Sequence, residues 1–65
     1  MRAHEIREMD YEELKRSLEE SYRELMNIRF RLATKQMANT SQVRYVKRNI
    51  ARLQTIIRQR ELGES

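Results

Sequence analysis

Tyr11, Leu14, Leu18, Ser21, Leu25, Ile28 and Leu32 are apolar or small, and the steps between them alternate three and four residues, with mainly charged and polar residues between. That alternation keeps one stripe on one side of an α-helix and is the seam of a coiled coil. The rhythm stops at Ala38-Asn39-Thr40-Ser41 and resumes at Val43, Val46, Ile50, Leu53 and Ile57. The boundaries carry start and stop signals. Asp10 with Glu13 three residues on resembles a capping box, Asn39 suits a left-handed turn, Thr40 or Ser41 suits an N-cap, and Gly63 suits a helix end. The pattern predicts a first helix over about residues 10–36, a turn over about 37–40 and a second helix over about 41–62.

Helices of this length measure roughly 33 to 40 Å at ~1.5 Å per residue, and so short a connection makes them antiparallel neighbours. The expected fold class is all-α: an antiparallel two-helix hairpin of coiled-coil type, one domain over residues 1–65. Counting outward from the turn sets Leu32 near Val43, Ile28 near Val46, Leu25 near Ile50 and Leu18 near Ile57. Ile6 and Met9 suit a short extra helical turn folded back on the hairpin. A chain this short buries little surface, so the hairpin is expected to gain stability from a larger partner that binds only its folded form.

Composition removes several classes of chemistry. There is no Cys and one His, His4, which leaves neither thiolates nor a zinc ligand set. The expectation is no cofactor, no metal and no catalytic site. Apolar residues come mostly singly or in pairs, far short of the ~20 needed to span a bilayer, and Met1-Arg2-Ala3-His4-Glu5 leads into no apolar run of a secretory signal. A cytosolic protein with no membrane partner is expected.

Charge changes the picture more. The first 22 residues hold seven acids and four bases, whereas Arg23 to Arg60 holds ten bases and one acid, Glu24. A solvated coiled-coil exterior mixes signs; a one-sided excess attracts polyanions, and nucleic acid is the expected partner. At ~100° per residue, Arg44, Arg48 and Arg52 lie opposite the seam of the second helix as an outward basic stripe, with Lys47 and Arg58 on one edge and Tyr45 and Asn49 toward the other. Ala51 is small enough to let a phosphodiester backbone approach. Guanidinium groups bind phosphate bidentately and stack on bases, which suits structured RNA. The first turn of this helix carries no acid, so its amides, the hydroxyls of Thr40 and Ser41, and Arg44 suit a phosphate oxygen, while the simpler role of Thr40 and Ser41 is as caps.

On the first helix Phe30 lies about 150° from the seam, with Met26 and Met37 beside it and Arg23, Arg29, Arg31 and Lys35 around it. Aromatic and Met clusters of this kind mark contact surfaces. Either the N-terminal segment or an external partner is expected to cover Met26, Phe30 and Met37.

Leu25, Asn27, Arg29, Phe30, Leu32, Ala33, Thr34 and Gln36, followed by Asn39, Thr40, Ser41, Arg44, Val46, Lys47, Arg48, Ile50, Ala51 and Arg52, resemble the bacterial large-subunit ribosomal protein twenty-nine family. The resemblance runs from the Ala3-His4-Glu5-Ile6-Arg7 opening through Glu12-Glu13-Leu14 to about Glu61. It implies a helical hairpin on large-subunit ribosomal RNA near the polypeptide exit tunnel, beside another small ribosomal protein, with a scaffolding role and no enzymatic activity. Together with the face assignment it implies RNA contacts at Arg31, Gln36, Thr40, Arg44, Lys47, Arg48 and Arg52; Arg29, Lys35 and Ser41 complete the expected surface. The chain departs from the family pattern at Lys35, where Gly is expected, at Met26, where Phe is common, and at Tyr45, where a basic residue often sits.

Two other functions compete. A coiled-coil protein-interaction module would work through Met26, Phe30 and Met37. A small helical enzyme resembling the chorismate mutases would hold an anionic substrate with Arg and Lys, but it needs charges converging in a sheltered pocket, and Arg44, Arg48 and Arg52 are expected to point away from the only seam.

Overall fold

The computed structural model describes residues 2–63. It contains three helices, α1 (Ala3–Glu8), α2 (Tyr11–Ala33) and α3 (Ser41–Gly63), and no strand among the described residues. The two long helices pack side by side as an antiparallel hairpin, and α1 folds back onto α3. The rod measures 45 × 17 × 15 Å.

Asp10 starts α2 as expected. It is the N-cap residue, with extended backbone, and its Oδ1 accepts the Glu13 amide at 2.8 Å. That amide bond is the main reason its carboxyl titrates below the ordinary value of 3.8; the charges of Arg16 and Arg60 pull the same way.

The turn departs from expectation. The first long helix ends at Ala33 rather than near residue 36, and the connection runs over 34–40 rather than 37–40. Thr34 is the C-cap, and Lys35, not Asn39, takes the left-handed conformation, with φ of 64°. The Gln36 amide reaches back to the Arg31 carbonyl at 2.9 Å and the Lys35 amide to the Leu32 carbonyl at 3.2 Å. These are the two bonds of a Schellman motif, which satisfies carbonyls that the helix end leaves open. The left-handed position in that motif belongs to glycine by preference, which is the residue the family resemblance expects at Lys35. The Thr34 hydroxyl donates to the carbonyls of Phe30, at 3.0 Å, and Arg31, at 3.3 Å. Asn39 serves α3 instead: its Oδ1 accepts the Ser41 amide at 2.8 Å, while the Thr40 carbonyl accepts from Val43 and Arg44. Thr40 thus stands at the N-cap position.

The seam is the core, in two clusters. Leu25, Ile28, Val46 and Ile50 are buried near the turn, with Leu32, Met37 and Val43 packed against them. At the far end Ile6, Leu14, Leu53, Ile56 and Ile57 are buried, with Met9 and Tyr11 alongside. Leu18 touches both clusters. The expected pairings fall within these groups, and Ile6 does fold back on the hairpin, fully buried. Ile56 lies off the seam and is buried nonetheless, because α1 extends the apolar contact of α3 sideways. Two polar links fix the far end. The Arg60 guanidinium donates to the Arg7 carbonyl at 2.6 Å, near the C-terminus of α1, and the Gln54 amide donates to the Tyr22 hydroxyl.

Candidate nucleic-acid interface

With the seam turned toward α2, the opposite side of α3 faces outward. Ser41, Arg44, Tyr45, Lys47, Arg48, Ala51, Arg52 and Arg58 are all exposed, so the stripe of Arg44, Arg48 and Arg52 has the orientation expected from its spacing. No acid stands in the first turn of α3. Ser41, Gln42, Arg44, Tyr45 and Arg48 line a shallow hollow of about 430 Å³ on this face. Tyr45, expected at the edge of the basic stripe, lies four residues after Ser41 and three before Arg48, in the same row on the helix; Gln42 was not placed on this surface from its spacing.

Arg29 and Arg31, the bases of α2 after Glu24, lie at the same, turn-proximal end of the hairpin. Arg29, Arg31, Lys35, Gln36 and Thr40 are exposed, so all ten residues expected to contact RNA are accessible. The segment from residue 25 to residue 51, which forms the turn-proximal half of the hairpin, contains six bases and no acid. Arg23 belongs to the other half: its guanidinium bonds Glu19 at 2.7 Å one turn earlier, with the acid N-terminal to the base, the favourable order along a helix. The basic surface therefore begins in effect after Glu24. Salt bridges within α3 cannot neutralise it before Glu61, the first acid of that helix.

Residues 4–60 match the family described as Ribosomal L29 protein. The chain belongs to this family. Among similar proteins, the large ribosomal subunit protein uL29 of Corynebacterium diphtheriae is 56% identical over 63 residues, covering 97% of this chain and 83% of the relative. That of Thermotoga petrophila is 54% identical, covering 97% of this chain and 96% of the relative, and that of Rubrobacter xylanophilus is 55% identical over 60 residues, covering 92% and 90%. The family match takes in most of α1, all of α2 and the turn, and α3 as far as Arg60, so the whole basic surface lies inside it.

In this family member the outer side of α2 also carries an apolar row. Met26 and Phe30 stand four residues apart there, with 71% of Met26 and 63% of Phe30 exposed, and Tyr22, whose hydroxyl bonds Gln54 of α3, leads into them from the edge. The N-terminal segment does not cover them, since Ile6 is engaged with Leu14, Leu53, Ile56 and Ile57 at the other end. Met37 separates from this group: it is half-buried and packs on the Leu25, Ile28, Val46 and Ile50 cluster, because the early end of α2 turns the chain back over the core. Among the described residues no group of His, Asp or Glu is placed to hold a metal ion, and no helix is long and apolar enough to cross a membrane.

Proposed function

We propose that this chain is a structural constituent of the large ribosomal subunit and that it holds ribosomal RNA with the turn-proximal half of its hairpin. The observation that carries this is the run of six bases without an acid across residues 25–51, on a half of the molecule where Arg29, Arg31, Lys35, Arg44, Lys47 and Arg48 are all exposed. Family membership supplies the ribosome as the setting, and with it a cytoplasmic, scaffolding role without catalysis. The contacting set is Arg29, Arg31, Lys35, Gln36, Thr40, Ser41, Arg44, Lys47, Arg48 and Arg52. The family resemblance supports a position near the polypeptide exit tunnel. The bare Met26 and Phe30 favour a neighbouring ribosomal protein against α2, since a Phe left in water beside an RNA-bound surface invites an apolar cover.

The protein is expected to co-sediment with large subunits at moderate salt and to leave them in high salt. Each phosphate contact contributes about −0.7 to −0.9 to the slope of log K against log salt, so several contacts give a steep line. A salt-insensitive association with large-subunit RNA would overturn the assignment. Phe30→Ala is expected to leave RNA binding intact and to weaken retention of the adjacent protein; loss of RNA binding alone would assign the patch to RNA.

A further inference from the structure

Tyr45 is the one aromatic residue on the basic face of α3, and 61% of it is exposed. Ser41, Tyr45, Arg48 and Arg52 follow at steps of four, three and four, so at ~100° per residue they fall within roughly a 60° arc. Arg44 borders the same hollow. A ring set in a row of guanidinium groups cannot bind phosphate oxygens through charge. It offers a flat face, and the flanking arginines offer planar groups that grip the adjoining phosphates or stack in their turn. Bases inside a duplex have both faces covered by their neighbours, so only a nucleotide out of the stack can present one to a side chain.

From this placement we propose that Tyr45 stacks on an unpaired base of the bound RNA while Arg44 and Arg48 hold the phosphates on either side of it. The site takes a single-stranded nucleotide, from a bulge, loop or strand end, and is indifferent to base identity because every base has a π-face. The hollow supplies the room, and the absence of any acid between residues 25 and 51 supplies the complementary charge. The proposal rests on the RNA-binding role above and sharpens it: of the exposed side chains on this face, one reads the presence of an unstacked base rather than charge.

The test uses the full chain and protein-free large-subunit ribosomal RNA as the probe, with binding followed across a salt series. Tyr45→Leu removes the ring at an exposed position, and a matched thermal melt confirms the fold. It is expected to weaken binding about tenfold with the salt slope unchanged, whereas Tyr45→Phe binds as the unaltered chain does. Arg48→Ala, by contrast, is expected to make the slope shallower by about 0.7 to 0.9. Tyr45→Trp is expected to bind and to have its fluorescence quenched by the RNA, and a benzophenone side chain at position 45 to crosslink to a nucleotide outside any duplex. Steep salt-dependent binding that Tyr45→Leu leaves untouched overturns the stacking site alone. So do an equal loss in Tyr45→Phe, which would mean a hydroxyl contact, and a crosslink inside continuous duplex. Failure of the unaltered chain to bind the RNA overturns the RNA-binding role and the stacking site together.

Discussion

Lys35 is the residue at which local chemistry and the fold disagree most. It holds a left-handed backbone with φ of 64°, where any residue with a Cβ is disfavoured by about 1–2 kcal/mol and glycine is not. Lys35→Gly is therefore expected to stabilise the hairpin by about 1 kcal/mol, after allowing for the extra freedom glycine has in the unfolded chain. A urea titration followed by circular dichroism measures this, and unchanged or lower stability would show that the Schellman geometry does not strain Lys35. The same change removes one base from the interface, so stability and RNA affinity should move in opposite directions. Nothing in the run Ala33-Thr34-Lys35-Gln36 announced this helix end, because these residues include no Gly, Pro or Asn to mark it. Asn39 carried the local turn signal and used it on the Ser41 amide instead. Only the family pattern, with its glycine, pointed at position 35.

At the scale of the elements, the two long helices were legible because their seams repeat without error over several turns, and periodicity of that length is the most reliable signal a sequence offers. The basic stripe was legible for the same reason, since a face opposite a known seam is fixed by geometry. α1 is different. At six residues it is far too short to hold itself together and exists through tertiary contact. Ile6 supplies that contact, and its burial brings Ile56 into the core, a residue the three-four spacing of α3 leaves off the seam. Ile6→Ala is expected to cost about 2–4 kcal/mol and to release α1 first. Hydrogen exchange should quicken for residues 3–9 and for the end of α3 near Ile56 more than for the helices around Ile28 and Val46. A loss below about 0.5 kcal/mol, the range of ordinary surface changes, would mean that α1 docks through its backbone link to Arg60 and not through Ile6.

For the whole molecule the governing feature is a charge gradient along a rod 45 Å long. At physiological salt the screening length is about 8 Å, so a polyanion at one end does not sense charges at the other. Neutralising Lys47 and Arg48 together is expected to weaken binding to large-subunit RNA and to reduce the salt slope by about 1.4 to 1.8 if both reach phosphates. Neutralising Lys15 and Arg16 changes the net charge equally and should leave binding almost unchanged. Equal effects from the two pairs would mean that the RNA responds to overall charge and not to the turn-proximal end.

The division of the core at Leu18 has a further consequence for how this rod behaves once held. Two apolar pools joined by one half-buried leucine are expected to protect their amides as two cooperative units, so hydrogen exchange should sort the residues of the two clusters into two classes on either side of Leu18. RNA bound at the turn end is then expected to slow exchange around Ile28 and Val46 more than around Leu14 and Leu53, and equal slowing of both would mean that Leu18 couples the two pools into one.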